Sequence, residues 1–230
     1  MKPAFWARRA HKWIALIVGA QAFLWMLSGL YMTVISLDII HGDHLAHVRS
    51  EPLRIGTLSP DQATLLRRYP GVTGFKLKQF MGQTVYEIRQ GDQIALVDTA
   101  GTKLSPLGED RVRALATSLY QGQAPIQSVE LLQNAPKEVA NRRAPLWQVN
   151  FSDQAQTSLY LSPFTGELLA RRHSLWRWFD FLWMFHIMDY ESRTDVNNGL
   201  LRTFASIGLL FALSGLWLLL YSFRKRRAVI

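Results

Sequence analysis

The sequence contains no cysteine. That absence removes disulfides, thiol nucleophiles, iron–sulfur ligation and thioether-linked c-type haem from consideration. It also has no phosphate-cradling glycine loop, no GxGxxG fingerprint and no Ser-His-Asp arrangement, so kinase, nucleotide-binding and hydrolase readings have no residues to rest on. Charge is missing over one long stretch. From Trp13 to Leu37, WIALIVGAQAFLWMLSGLYMTVISL, there is no ionisable acid or base, and a helix of roughly 25 residues at 1.5 Å per residue crosses a hydrocarbon core about 30 Å thick. The stretch therefore predicts a transmembrane helix. A second apolar run, Gly199 to Phe223, closes the chain. Both runs carry the tetrapeptide Leu-Ser-Gly-Leu, at 27–30 and 213–216, a small-residue notch that admits close approach of a neighbouring helix or a flat ligand.

What charge there is has a clear distribution. The formal net charge is +9, and eight positive residues lie at the two ends: Lys2, Arg8, Arg9 and Lys12 before the first run, Arg224, Lys225, Arg226 and Arg227 after the second. Short basic flanks stay in the cytoplasm, so the basicity reads as a topology signal and no nucleic-acid partner is expected. Both termini are predicted cytoplasmic in a bacterial inner membrane, with the central domain periplasmic. A cleavable signal peptide would have a shorter apolar core and a small-x-small site, whereas this run continues into Asp38-Ile39-Ile40-His41, so an uncleaved anchor is expected.

Between the two runs the patterning changes. Ser59-Pro60-Asp61 opens a helix to about Arg68, followed by alternating runs at 74–80, 84–89 and 94–98, which predict a strand meander. Gly108-Glu109-Asp110 then opens a second helix to Tyr120, with strands predicted at 126–132, 147–151 and 157–161. Both copies close on a turn, at 97–104 and at 161–168, so the domain reads as a duplicated helix plus antiparallel sheet unit. The predicted organisation is residues 1–12 cytoplasmic, 13–40 the first span, 41–58 a His-rich periplasmic linker, 59–172 the α+β domain, 173–198 an aromatic interfacial helix with an acidic loop, 199–223 the second span and 224–230 a basic tail. Within 173–198, Leu175, Phe179, Leu182 and His186 share one helical stripe. The apolar part is too short to span. Arg142-Arg143 and Arg171-Arg172 read as solvated loop charges.

The closing turn Ser162-Pro163-Phe164-Thr165-Gly166-Glu167-Leu168 resembles the D-x-x-T-G-E type signature of PepSY domains. The helix start Arg8-Arg9-Ala10-His11-Lys12-Trp13 and the Leu-Ser-Gly-Leu that follows it are similar to the PepSY-associated transmembrane family. The resemblance implies an α+β periplasmic PepSY-like domain anchored by two transmembrane α-helices. Larger members of that family, with about four spans, include ferric-siderophore reductases that pass electrons across the membrane through histidine-ligated haem. Two spans would make one copy half of such a unit, so a homodimer or a larger redox assembly is expected.

Histidine is then the residue type to weigh. Five of the six, His41, His44, His47, His173 and His186, map to the outer membrane face and His11 to the inner one, with none in mid-span. A b-type haem needs two imidazoles on opposite faces of the macrocycle. His186 with His41 or His44 is the expected outer set, and His11 from two protomers around a two-fold axis the inner one. The reading is a ferric-chelate-reductase-like electron-transfer protein facing a periplasmic ferric chelate. One alternative is a zinc, copper or iron site on His41, His44 and His47, which stand on adjacent turns of one face provided the helix passes Gly42. The other is a non-catalytic module that binds periplasmic peptides or regulates a protease.

Overall fold

The computed structural model describes residues 3–48, 52 and 62–222. They fall into two compact units, Met1–Ser36 with Trp178–Ile230, and Leu37–Arg177. The chain begins with helix α1 (Pro3–Val34), whose segment Lys12–Val34 is long and apolar enough to cross a membrane. Its end comes earlier than the expected boundary at residue 40. The β-branched run Thr33-Val34-Ile35 weakens the helix, and a new short helix, α2 (Leu37–His41), starts after Ser36. Gly42 stops α2 in turn. It sits at φ +73°, its N–H donates to Ile39 O and the Asp43 N–H donates to Asp38 O, the paired bonds of a Schellman terminus. The helix therefore does not pass through the histidine string as the metal reading required.

Residues 43–48, expected to be a linker, are built into the α+β unit. Ala46 bridges Tyr120, the His47 N–H donates to Leu119 O, and Ala46 is fully buried. The first half-domain is α3 (Gln62–Arg68), β1 (Gly74–Phe80), β2 (Gln83–Gln90) and β3 (Gln93–Asp98), an antiparallel sheet in the order β1-β2-β3. The Ser59-Pro60-Asp61 helix start lies outside the described residues. Met81 and Gly82, both at positive φ, make the two-residue turn that suits a right-twisted hairpin. Alternation sends Tyr86, Ile88, Ala95 and Val97 toward Leu65 of α3, while Val85 and Leu96 enter the larger core.

The second half-domain repeats the plan with α4 (Glu109–Leu119), β4 (Ile126–Leu132), β5 (Leu146–Phe151), β6 (Ser158–Leu161) and β7 (Leu168–Arg172), in the order β4-β5-β6-β7. Helix α4 carries Glu109 and Asp110 in its first turn, where the helix dipole favours acids. It buries Val112, Leu115, Ala116 and Leu119, the i, i+3, i+4, i+7 stripe of an amphipathic helix. That stripe packs on Trp147, Val149, Phe151, Leu159 and Leu161, the inward positions of β5 and β6. Strand β7 is the element the sequence did not announce, because Leu-Leu-Ala-Arg-Arg has no alternation. Its arginines are partnered strand residues and not solvated loop charges. Arg171 Nε donates to Ala46 O at 2.7 Å and Nη1 to Asp43 Oδ1 at 2.9 Å, while Arg172 Nε donates to Glu138 O at 2.7 Å and its guanidinium lies 3.8 Å over the Trp176 ring.

The closing turn between β6 and β7 ties the halves together. Gly166 adopts φ +64°, and a Cβ there would stand 2.3 Å from Phe80 Cε2, so both conformation and space require glycine. Lys78 Nζ of β1 donates to Thr165 O at 2.9 Å and to Glu87 Oε2 at 2.7 Å. Beyond β7 come α5 (Ser174–Ile187) and α6 (Gly199–Ser222). The described apolar part of α6 is Gly199–Leu213.

Candidate functional site

In the helical unit, the notch of α1 and the end of α5 make one polar contact. Ser28 is 1% exposed. Its hydroxyl lies 2.7 Å from Leu24 O and 3.1 Å from Trp25 O, and 2.9 Å from Nδ1 of His186. We assign the hydroxyl proton to Leu24 O, its shortest contact, which makes the oxygen an acceptor for Nδ1–H and leaves Nε2 its lone pair. Among the described residues no protein group engages Nε2.

The imidazole is held on its other sides as well. The ring lies against Gly29, where a Cβ would make an ordinary van der Waals contact of 3.8 Å with His186 Cε1. Trp25 Nε1–H donates to His186 O at 3.0 Å. Trp183 stacks on the imidazole with centroids 6.2 Å apart and planes 13° from parallel, and Phe179 stacks on Trp183 at 6.1 Å and 9°. Trp183 is itself fixed, its Nε1–H donating to Arg193 O at 3.1 Å. Positions 179, 183 and 186 are the i, i+4, i+7 face of α5, which brings three rings into one column. Ser28 lies six residues, about 9 Å, inside the end of α1. His186 thus packs against the apolar stretch itself.

The remaining histidines are placed as follows. His11 is on α1, and its side chain lies outside the described residues. His41 ends α2, and His41, His44 and His47 are all exposed. They do not converge: Gly42 turns the chain between the first two, Asp43 is taken by Arg171, and His44 packs edge-on against His173 at 5.8 Å. Among the described residues no group of three or more His, Cys, Asp or Glu stands ready for a metal ion. His173 is 2% exposed and its Nε2 contacts Ile40 O at 3.1 Å; burial pushes its pKa down, against the pull of that carbonyl. His186 belongs to the helical unit, and His41, His44 and His47 to the α+β unit.

The acidic loop after α5 is organised by Asp189, which accepts the N–H groups of Glu191, Ser192, Thr194 and Asp195. The Ser192 hydroxyl and the amides of Asp195, Thr194 and Ser192 hold its carboxyl well below the usual carboxylate range. The α+β unit also carries a buried polar cluster on the outer face of β5 and β6. Tyr160 OH donates to Glu138 Oε1 at 2.5 Å, Arg177 Nε donates to Glu138 Oε2 at 2.9 Å, and Gln148 Nε2 donates to Tyr160 OH at 2.9 Å. Burial and the Glu138 carboxylate push the Tyr160 phenol up.

The family model of the PepSY-associated TM region matches residues 8–230. The chain belongs to this family. No curated protein and no solved structure matches it. As a PepSY-associated TM protein it is a membrane protein that associates with the lipid bilayer, and its α+β unit of two antiparallel sheets is a PepSY-type domain. The twin Leu-Ser-Gly-Leu motif suggested close packing in the sequence. What it did not disclose is that the Ser28 hydroxyl receives an imidazole, because that partner lies 158 positions away. Trp25 and Arg193 carried no signal at all.

Proposed function

We propose that this PepSY-associated TM protein binds b-type haem through histidine and takes part in electron transfer across or at the outer face of the bacterial inner membrane, as a ferric-chelate-reductase-like component. The observation that carries this reading is the 2.9 Å contact between Ser28 Oγ and His186 Nδ1. A ligating imidazole needs its second nitrogen hydrogen-bonded, which fixes the ring and raises the basicity of the ligating atom. Ser28 makes that bond and leaves Nε2 as the donor. Haem, when bound, supplies a one-electron iron couple. The chain's own residues do the rest: Ser28 accepts from Nδ1–H, and Trp183 stacks on the ring and sets its plane.

The proposed topology has α1 and α6 as two spans with both termini cytoplasmic and the α+β unit periplasmic. Supporting it are the basic residues at both ends and the 24-residue length of α6, about 36 Å at 1.5 Å per residue. On the inner side the proposed ligands are His11 of two protomers. His11 and Ser28 are 17 positions apart on one helix, about 25 Å, which keeps the two levels within one bilayer. The experiment is an absorption spectrum with pyridine haemochrome analysis of the detergent-purified chain. A Soret band lost in His186→Ala and altered in His11→Ala supports the reading. A preparation without haem after expression with haem precursor, or a band indifferent to His186, overturns it.

A further inference from the structure

We propose that the outer face of the β4-β5-β6-β7 sheet binds an N-acetylated sugar, held by its acetamido group between Asn150 and Gln148. The inference does not depend on the haem reading and lies wholly within the α+β unit. A cleft of about 560 Å³, the size of a small-molecule site, opens over β4, β5 and β6. Its lining is rich in amides and hydroxyls, among them Ser128, Gln148, Asn150 and Ser158, and includes Arg177. Strand register brings these groups together. Ser128, Asn150 and Ser158 stand in one cross-strand row, and Gln148 lies two residues from Asn150 on the same face. Gln148 and Asn150 are half-buried, while Ser158 is 3% exposed.

Two hydrogen-bond chains cross this face in opposite senses, both rooted in the Arg177–Glu138 ion pair. In the first, Arg177 Nη2 donates to Ser158 Oγ at 3.0 Å, Ser158 Oγ to Asn150 Oδ1 at 2.7 Å and Asn150 Nδ2 to Ser128 Oγ at 2.9 Å. A chain that starts on a cation ends in donors, here the second Nδ2 hydrogen of Asn150 and the Ser128 hydroxyl. In the second, Gln148 Nε2 donates to Tyr160 OH, which donates to Glu138 Oε1. The phenol has given up its proton and can only accept, so the Gln148 amide keeps its nitrogen on Tyr160 and Oε1 is left over as an acceptor. Bonds between side chains are the least common class in a folded protein, and a sheet face that is merely wetted has no need of a connected set of them. Donor and acceptor stand two residues apart on one strand, about 7 Å. A trans secondary amide points its C=O and N–H in opposite directions and bridges such a gap, with about 2.3 Å from oxygen to nitrogen and a hydrogen bond of about 2.9 Å at either end. The rest of the lining favours a sugar over a peptide. It offers polar partners for ring hydroxyls, and its one apolar residue, Phe151, is buried and forms no pocket for a side chain.

The full chain, in a detergent that carries no sugar, is titrated by saturation-transfer NMR with three probes. They are N-acetylated chitotetraose, cellotetraose, which has a hydroxyl in place of each acetamido group, and capped tetra-alanine, whose amides belong to a peptide. Chitotetraose is expected to bind about tenfold more tightly than cellotetraose, the scale of two ordinary hydrogen bonds, and more tightly than tetra-alanine. Asn150→Asp turns the donor into an acceptor, and Gln148→Ala removes the acceptor. Each should bring chitotetraose down to the level of cellotetraose, with the thermal midpoint measured alongside. Ser128→Ala, which touches only Asn150 among these side chains, covers the case in which either variant fails to fold and should weaken chitotetraose severalfold. No binding of chitotetraose at about 10 mM, where even a site of about 1 mM is about nine-tenths filled, overturns the assignment. So does equal affinity for cellotetraose, tighter binding of tetra-alanine, or an affinity indifferent to the substitutions.

Discussion

Ser28→Ala tests the seat of His186 with the smallest change available. The substitution removes one oxygen from a site that is 1% exposed and takes away the only acceptor that the described residues give Nδ1–H. Leaving a buried donor unsatisfied costs about 1–3 kcal/mol, so the variant should be less stable by that amount without ligand. The helix gains a little in return, since alanine is a better helix former by a few tenths of a kcal/mol. The effect on ligand binding should be larger than on stability. Loss of an outer-shell hydrogen bond to a ligating histidine typically lowers affinity about 10- to 100-fold, and a less basic imidazole raises the iron midpoint potential. The assay is a Soret titration with a redox titration of the same sample, beside Thr33→Ala as control. Thr33 makes the same back-bond to the carbonyl at i−3, to Leu30 at 3.0 Å, but is exposed, and its loss should stay within about 0.5 kcal/mol. If Ser28→Ala binds haem and poises it like wild type while His186→Ala binds none, the hydroxyl does not set the tautomer and the argument from Nε2 fails.

Gly166→Ala should destabilise the α+β unit by about 2–3 kcal/mol, from the left-handed backbone and from overpacking against Phe80, read as a shift in the thermal or urea midpoint; a neutral result would remove the steric account of the signature turn. His173 is buried with its folded pKa below the ordinary 6.5, so the unfolded chain takes up a proton first and stability falls as pH drops below about 6.5, continuing to the depressed folded value. His173→Gln, which keeps a donor for Ile40 O, should flatten that slope, and parallel pH profiles for the two proteins would contradict it. The absence of cysteine makes topology directly readable. Gln127→Cys, an exposed position on β4, should react with a membrane-impermeant maleimide in spheroplasts and Arg227→Cys only after permeabilisation; the reverse pattern refutes the proposed orientation.

Local chemistry explains which parts of this chain could be read in advance. Strands β1 to β6 and helix α4 are announced by alternation, by the turn residues between them and by an amphipathic stripe, all of which act within a few residues. Strand β7 is not, because its identity rests on a ladder to β6 and on arginines whose partners, Ala46, Asp43 and Glu138, are far off in sequence. The end of α1 was misplaced for a related reason. Residues 35–40 are as apolar as the span before them, and hydropathy alone does not register that Leu37–His41 starts a new helix with Asp38 in its first turn.

The histidines show the same division more sharply. Their number and their clustering beside the apolar runs were plain, and they invited a tripod from His41, His44 and His47. One left-handed glycine at position 42 breaks that tripod, and spacing arguments that assume an unbroken helix cannot survive it. The site that does form depends on a serine whose proton is already spent on its own helix. A serine back-bonded to the carbonyl at i−4 has lost its donor and kept an acceptor, so whatever meets it must bring a proton. An imidazole that brings one at Nδ1 has committed its other nitrogen. The repeated Leu-Ser-Gly-Leu was visible from the start, but its chemical sense lies in that order of proton assignments, which only the position of His186 against Ser28 supplies.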